Sequence, residues 1–319
     1  MRLTILLLFA SLSMSSALRA EPKLRVFILA GQSNMEGQGV VDLHHPKYYN
    51  GGKGTLEWHM KKPEKAKRYA HLRRKDGTWV QRDDVWVRFR TKNELKKGPL
   101  SIGFAGYSGK HHIGPELQFG HVVGDALKDN VLLIKTAWGG KSLHKDFRPP
   151  SAGGETGPYY KKMIAEVREG LDQLAKDFPK LGKSDVEIAG FVWFQGWNDM
   201  FNEGARADYA KNLAHLIRDV RKEFGTPTLP VVVGELGNGG EKASPNMKAI
   251  RKAQADVAEL KEWRGSVRFA KTTSFARPRE ESPNVGHGHH WFGNAESYFL
   301  VGDALGKQMV SLIASTKAR

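Results

Sequence analysis

The stretch KLRVFILAGQSNMEGQG, residues 23–39, joins a short apolar run to a glycine-rich turn that contains a serine. Apolar runs of this length are typical of strands buried on both faces of a parallel sheet. Ser33 therefore stands where a strand is expected to turn into a helix, and the free backbone N–H groups of a helix start favour developing negative charge. This position suits a nucleophile, although serine is also a common helix N-cap.

Runs of the same kind recur along the chain, and helix-length segments with apolar residues at three-to-four spacing separate them. The further runs are NVLLIKTAWGG (130–140), VEIAGFVWFQG (186–196), TLPVVVGELG (228–237) and SVRFAKTTS (266–274). The helical segments cover residues 115–128, 159–178, 207–224, 246–263 and 294–313. This alternation predicts the α/β class, with a central parallel sheet of about five strands and helices on both faces. Ligands of such sheets bind beyond the carboxyl ends of the strands, so functional residues are expected there.

Residues 40–114 interrupt this alternation and are too long for a simple loop. Within them GTWVQRDDVWVRFRTK (77–92) alternates apolar and polar residues on both sides of a charged turn, which predicts a β-hairpin. We interpret the segment as an insertion into a single domain of residues 21–319, near the active-site face, where it is a candidate substrate-binding rim. Lysine and arginine are dense between Lys53 and Lys97. This basic region is either a solvated face or a site of attraction for an anionic polysaccharide or envelope surface, and no nucleic-acid motif accompanies it.

The first twenty residues, 1–20, predict a secretory signal peptide. Arg2 precedes an apolar run from Leu3 to Ala10, and small residues near Ala17 and Ala20 offer a cleavage site. That run is about half of the roughly 20 residues needed to span a bilayer. We therefore expect a secreted or periplasmic protein without a membrane span. The chain has no cysteine, which excludes disulfides and thiolate metal sites. Its formal net charge is +16.

GQSNM followed by Glu36-Gly37 resembles the first block of the SGNH hydrolase superfamily in its sialate O-acetylesterase and carbohydrate esterase branch. Three later stretches resemble further blocks in the same order: AWGGKSL (137–143), WFQGWNDM (193–200) and GHGHHWFGNAESYFLVGDALGKQM (286–309). The resemblance extends from about Lys23 to Met309, apart from the inserted segment. It implies a flavodoxin-like three-layer sandwich, the SGNH hydrolase fold, with Ser33 as the nucleophile.

The middle blocks imply the groups that hold the oxyanion. AWGGKSL resembles the block whose glycine N–H points into the oxyanion hole, a place that Gly139 or Gly140 fills, and we favour Gly140. Glycines here also suit a tight turn. WFQGWNDM fits the pattern GxND, whose asparagine, Asn198 in this chain, donates to the oxyanion.

The same block departs from the sequence WQGESD that is frequent in the carbohydrate esterase branch. Gln195 and Asp199 agree with that sequence, whereas Trp197 replaces glutamate and Asn198 replaces serine. Gln195 and Asn198 therefore compete as oxyanion or orienting groups. An Asn-Asp pair after a strand is otherwise a good turn.

The base is expected near the carboxyl end of the chain, where His290 and the following Trp291 best match the catalytic histidine. The superfamily often has aspartate three residues earlier, in a DxxH motif, but this chain has His287 there. The third member of a triad is therefore not assigned; an acid, a backbone carbonyl or no group at all remains open. Candidate acids are Asp199, Glu280, Glu281 and Glu296. Glu235, after a buried strand, is expected to line the pocket.

The resemblance implies an exported serine esterase that removes acyl groups, acetyl in particular, from carbohydrate. Ser33 attacks the ester, His290 takes its proton, and Ser33 N–H, Gly140 N–H and the Asn198 side chain hold the oxyanion, without a cofactor. Two alternatives remain open. One is an inactive carbohydrate-binding protein on the same fold. The other is a metal-dependent hydrolase using His287, His289 and His290, although no further ligand spacing such as HExxH supports a metal and we assign none. Nothing in the sequence predicts an oligomeric state.

Overall fold

The computed structural model describes residues 23–317, and the predicted signal peptide at residues 1–20 lies outside the described residues. Within this part of the chain the strands are β1 (Lys23–Gly31), β2 (Gly39–Val40), β3 (Val85–Arg90), β4 (Leu95–Pro99), β5 (His112–Ile113), β6 (Asn130–Ala137), β7 (Asp185–Phe194), β8 (Val231–Gly234) and β9 (Val267–Ala270). The α-helices are α1 (Ser33–Glu36), α2 (Pro46–Tyr49), α3 (Leu56–Met60), α4 (Pro63–Tyr69), α5 (Glu116–Ala126), α6 (Pro158–Asp172), α7 (Leu174–Asp177), α8 (Glu203–Glu223), α9 (Pro245–Ala258) and α10 (Ala295–Lys317).

A seven-stranded sheet forms the centre of the fold, in the order β4-β3-β6-β1-β7-β8-β9. All neighbouring strands from β3 to β9 run parallel, and β4 is antiparallel to β3. The five predicted runs form β6-β1-β7-β8-β9, which is the 2-1-3-4-5 order of flavodoxin-like sheets. The predicted α/β sandwich is confirmed, and its sheet contains two strands more than the sequence indicated.

Each face of the sheet carries its own apolar core. Within β1, Val26 and Ile28 belong to one buried cluster, and Phe27 and Leu29 belong to the other. Successive side chains of a strand point to opposite faces, so a strand covered on both sides must be apolar throughout. Helices α6, α8 and α9 supply the first cluster, and α5 and α10 supply the second.

Among residues 23–317, the structure contains no helix with the length and apolar character that a bilayer span requires.

The predicted position of the β-hairpin, residues 77–92, is wrong. Trp79 makes only an isolated bridge with Arg73, and the hairpin is instead formed by β3 and β4, with Thr91 bonded across the turn to Glu94. The apolar side of β3 is buried because this strand also pairs in parallel with β6 and so extends the central sheet. Part of the segment that we interpreted as an insertion therefore belongs to the core of the fold.

Candidate active site

The carboxyl ends of β1 and β7 meet at the centre of the sheet, where the strand order reverses. Open α/β sheets bind their ligands in the crevice at this point. A Cβ atom added to Gly31 would lie 2.1 Å from the carbonyl oxygen of Phe194. Glycine at this position therefore permits the two strand ends, and the turns that follow them, to approach each other closely.

Ser33 and His290 lie together above this crevice. Ser33 begins α1 directly after β1, and His290 belongs to the irregular 3₁₀ segment Gly288–Gly293 that precedes α10. The His290 Nε2 atom is 2.9 Å from Ser33 Oγ, which is within hydrogen-bond distance. Ser33 is only 8% exposed, so the hydroxyl and the imidazole face each other in a largely enclosed place.

The loop that carries His290 is held through its backbone. Asn34 Nδ2 donates to the carbonyl oxygen of His289 at 3.0 Å, and Asn238 Nδ2 donates to the same oxygen at 3.3 Å. The Tyr298 hydroxyl lies 2.7 Å from Asn34 Oδ1 and 3.2 Å from the carbonyl oxygen of His290. Asn34, Asn238 and Tyr298 were not predicted from the sequence, and only Asn34, beside Ser33 in the quoted motif, carried a local signal.

Backbone strain accompanies these contacts. Trp291 and Phe292, directly after His290, both have φ of 53°, a left-handed conformation that large side chains rarely adopt. Conformations of this kind persist only where surrounding contacts enforce them. The anchored loop therefore fixes where the imidazole lies.

Burial, together with the smaller effect of the neighbouring His289 and His287, lowers the pKa of His290 to about 3. The ring is accordingly neutral near pH 7, as a general base requires. The other ring nitrogen, Nδ1, is buried and has no hydrogen-bond partner among the described residues. The position that a triad acid would occupy is thus unfilled by any side chain that the structure describes.

The carboxylates that the sequence offered as orienting or pocket groups have other partners. Asp199 accepts hydrogen bonds from the backbone N–H groups of Leu143 and His144 and so holds the turn after β6. Glu235 accepts from the N–H groups of the Thr272–Thr273 turn. Their described contacts do not include His290. Each carboxylate instead accepts from loop N–H groups that would otherwise be buried without a partner.

Glu296 is likewise committed to other groups. It contacts Lys65, Arg68 and Arg277 and accepts from the Tyr69 hydroxyl. Two further candidates, Glu280 and Glu281, have exposed side chains, and the hydrogen bonds described for them involve backbone atoms. None of these acids is therefore retained as an orienting group for His290.

Gln32, which our sequence analysis did not single out, connects the two turns of the crevice. Its Oε1 atom accepts from the N–H groups of Gly196 and Trp197 at 3.2 and 3.0 Å, and its Nε2 atom donates to Asn198 Oδ1 at 3.1 Å. Asn198 Nδ2 donates in turn to the carbonyl oxygen of Gly140 at 3.1 Å. Because an amide nitrogen carries two hydrogens, one donor of Asn198 remains for a ligand.

Gln195 has no side-chain donor left for a ligand. Its Nε2 atom donates to Asp199 Oδ2 at 2.6 Å and to the carbonyl oxygen of Lys141 at 3.0 Å, and its Oε1 atom accepts from the Tyr209 hydroxyl. With its amide satisfied in this way, Gln195 supports the glycine turn after β6. Asn198 is the better placed of the two amides to face a ligand.

The glycine turn after β6 lies against the nucleophile. A Cβ atom on Gly139 would be 3.5 Å from Ser33 Cβ and 3.1 Å from Glu36 Oε2, whereas one on Gly140, at φ of 71°, would have nothing within 4 Å. Burial raises the pKa of the Glu36 carboxyl, and Lys135 and a hydrogen bond from the Gly139 N–H oppose this rise. Glu36 therefore links the helix that carries Ser33 to the glycine turn.

A buried ion pair supports this end of α1 from below. Lys135 Nζ lies 2.7 Å from Glu116 Oε2 and 2.8 Å from the carbonyl oxygen of Glu36, and the side chains of the pair are fully buried. Glu116 is the first residue of α5 and Lys135 lies on β6, so the two members of the pair belong to different elements of the fold.

The three histidines near residue 290 pack ring against ring. The ring centroids of His289 and His290 are 4.0 Å apart, and those of His287 and His290 are 6.2 Å apart. No group of three or more acids and histidines arranged to hold a metal ion occurs among residues 23–317.

Comparisons with known proteins agree with this architecture. A sequence profile of the family described as carbohydrate esterase, sialic acid-specific acetylesterase matches residues 23–274. The chain is 26% identical over 225 residues to a probable carbohydrate esterase of Arabidopsis thaliana, an alignment that covers 69% of this chain and 71% of the relative. The X-ray structure of that Arabidopsis protein superposes with a TM-score of 0.56 at 18% identity, covering 91% of this chain and 98% of the other.

The fold is also similar to that of a carbohydrate acetylesterase from Xanthomonas citri, whose crystal structure gives a TM-score of 0.50 at 15% identity and covers 89% of this chain and 57% of the other. At these identities the two structures show a shared fold. The matched region of the family profile ends before His290, so the pairing of this histidine with Ser33 is an observation of the structure alone.

Proposed function

Since this chain belongs to the carbohydrate esterase, sialic acid-specific acetylesterase family, we propose that it is a serine esterase that removes O-acetyl groups from carbohydrate. The observation that carries the proposal is the 2.9 Å contact between Ser33 Oγ and His290 Nε2 at the reversal point of the sheet. A nucleophile and a base within hydrogen-bond reach are the minimum that acyl transfer through a covalent intermediate requires.

In the proposed reaction Ser33 Oγ attacks the ester carbonyl while His290 Nε2 takes the hydroxyl proton. The Ser33 N–H, the Gly140 N–H and the Asn198 side chain donate to the oxyanion of the tetrahedral intermediate, each donor contributing about 3 kcal/mol in the transition state. The intermediate collapses to an acetyl-enzyme as the C–O bond breaks and the sugar hydroxyl leaves with the proton from His290. Water, deprotonated by His290, then releases acetate and restores Ser33. The proposed steps use no cofactor.

Acetylated carbohydrate is the substrate class that the family assignment supports. The predicted signal peptide supports a secreted or periplasmic enzyme acting on an extracellular poly- or oligosaccharide. The dense lysine and arginine residues between Lys53 and Lys97 support an anionic polysaccharide as a further partner.

The test of the proposal is p-nitrophenyl acetate and acetylated xylan hydrolysis by the wild type, Ser33→Ala and His290→Ala, with and without EDTA. We expect each substitution to lower kcat at least about a thousandfold and EDTA to have no effect. The chain contains a matched control, because Ser151 Oγ lies 2.8 Å from His215 Nδ1 on the surface. Ser151→Ala and His215→Ala should retain full activity.

The unpartnered Nδ1 atom of His290 is the one observation that favours a second candidate, an inactive carbohydrate-binding protein on this fold. Absence of wild-type turnover on both esters, together with binding of acetylated xylan, would support that candidate and overturn the esterase. Loss of turnover with EDTA would support metal-dependent hydrolysis instead.

A further inference from the structure

An exposed aromatic side chain stands beside the proposed catalytic pair. Phe201, at the end of the 3₁₀ turn Asp199–Phe201, is 66% exposed. Its ring centroid lies 5.7 Å from that of Trp197, with the planes at 73°. Trp197 is partly buried and packs on the core. The two rings therefore form an edge-to-face corner, in which Trp197 is supported by the core and Phe201 is open to solvent.

This corner continues to the reacting groups through one more ring. The centroid of Trp197 is 5.7 Å from that of His289, and His289 is 4.0 Å from His290. We call Trp197, Phe201 and His289 the aromatic corner. It begins next to the base and ends in solvent.

We propose that the aromatic corner binds the sugar ring that carries the acyl group, by stacking against the apolar C–H face of a pyranose. This inference rests on the proposed esterase function and extends it to the part of the substrate that leaves. Small-molecule sites are lined mainly by apolar and aromatic side chains, and the aromatic corner offers such a lining beside the crevice. Tryptophan and phenylalanine offer large, rigid faces for this purpose.

The chemistry of ester cleavage indicates which part of the substrate meets the corner. The acyl carbon must sit at Ser33 Oγ, and the leaving oxygen must sit where His290 can return its proton. The alcohol part of the ester therefore lies on the side of His290, and the aromatic corner extends outward from that side. In a carbohydrate ester the alcohol part is the sugar.

The kinetic test compares acetylated xylotriose with vinyl acetate, an ester whose alcohol part has no ring. We expect Phe201→Ala and Trp197→Ala to raise KM for acetylated xylotriose about tenfold, with a far smaller change for vinyl acetate. Trp197→Phe, which keeps an aromatic face, should recover much of the loss. Leu260→Ala shortens an apolar side chain that is 39% exposed and lies before the amino end of β9, away from the crevice, and it should leave both reactions unchanged. Equal effects on both esters, or no effect on either, would overturn the proposal.

A binding test separates this inference from the proposed function. In the Ser33→Ala protein, acetylated xylotriose should quench tryptophan fluorescence on titration, and Ser33→Ala/Phe201→Ala should bind it about tenfold more weakly. If Ser33→Ala binds the sugar in this way but the wild type hydrolyses no ester, the binding role of the aromatic corner stands and the esterase proposal is rejected. Binding that is equal in the two proteins, or absent from both, would reject the corner even if the esterase is active.

Discussion

The described contacts of His290 orient its imidazole through the backbone, and no acid is among them. Its Nε2 atom faces Ser33 Oγ, while Nδ1 has no partner among the described residues. Tyr298 and Asn34 hold the carbonyl oxygens of His290 and His289, and the strained residues that follow restrict the loop further. A ring fixed in this way can present one nitrogen to the nucleophile, although without the charge stabilisation that a triad acid gives to imidazolium.

The low pKa of His290 predicts an acid-tolerant enzyme. The base acts only when neutral, and a pKa lowered to about 3 keeps it neutral well below the usual histidine range. We expect kcat/KM for p-nitrophenyl acetate to stay level from pH 8 to about 5 and to fall as the pH approaches that pKa, because kcat/KM reports the free enzyme. His289→Gln removes one neighbouring charge and should move the acid limb upward. A wild-type midpoint near 6.5, with circular dichroism showing a folded protein, would contradict this expectation.

Glu36 is expected to position the glycine turn of the oxyanion site. Its carboxyl accepts the Gly139 N–H, and a Cβ atom added to Gly139 would lie 3.5 Å from Ser33 Cβ. Glu36→Ala should lower kcat for p-nitrophenyl acetate about tenfold with little change in KM, because the lost contact acts in the transition state. Glu36→Gln keeps an acceptor oxygen and should restore most of kcat. Equal kcat values for the two variants would assign Glu36 no positioning role.

Helix α10 depends on the inserted segment through Glu296, which is in its first turn. Burial raises the pKa of Glu296, but hydrogen bonds from Lys65 and Arg277 outweigh burial and hold that pKa at about 2. A carboxyl with a lowered pKa stabilises the fold above its unfolded value of 4.5, and this contribution disappears as the pH falls from 4.5 towards 2. Glu296→Gln should therefore lower the free energy of unfolding by about 3 kcal/mol at pH 7.

Urea unfolding at pH 7 and pH 3 measures this contribution. The difference between wild type and Glu296→Gln should shrink at the lower pH. Glu262→Gln, which removes an exposed pair with Arg218, should cost less than about 1 kcal/mol. A difference for Glu296→Gln that is as small as this control, or that grows at pH 3, would show that the buried carboxylate does not hold the segment on α10.

Elements with a uniform local pattern were predictable, and elements defined by distant partners were not. The runs that became β1, β6 and β7 are apolar throughout because helices cover both of their faces. Helix α8 begins at Glu203, before the predicted residue 207, because the Asn202 side chain caps it. Strand β3 was placed in the wrong hairpin, since its parallel partner lies more than forty residues further along the chain.

In the candidate site, too, residues within local motifs were predictable and residues defined by distant partners were not. Ser33 and His290 were predicted through the resemblance of their motifs to the family's blocks, and the structure brings the two side chains within hydrogen-bond distance. The hydroxyl of Tyr298 bonds to Asn34 across 264 positions of the chain, and no local pattern contains that information. Asp199 and Glu235 were candidate orienting or pocket residues. In the structure each carboxylate accepts hydrogen bonds from backbone N–H groups of a neighbouring loop, as buried polar groups generally require.

The molecule as a whole brings residue 33 and residue 290 together because the chain returns to the centre of its sheet. Strand β1 lies between β6 and β7, and β8 and β9 extend the sheet outward. Helix α10 then crosses back over the sheet beside α5, which places the loop before it above the end of β1. This strand order, and not any single contact, determines which side chains share the crevice.

The charge of the whole molecule, +16, predicts salt-dependent retention on a sulfated polysaccharide such as heparin, because dissolved ions screen attraction between exposed charges. Several cations of the inserted segment form ion pairs with acids outside it, such as Lys65 with Glu296 and Lys97 with Asp177. Lys61, Lys67 and Lys75 are exposed and have no ion pair among the described residues. Replacing all three with glutamine should weaken binding about tenfold, at roughly 0.5 kcal/mol for each contact. Replacing Lys161, Lys180 and Lys183, which are also exposed, removes the same charge and should have a smaller effect. Equal losses in the two triple variants would mean that net charge alone, without a localised site on the segment, attracts the polymer.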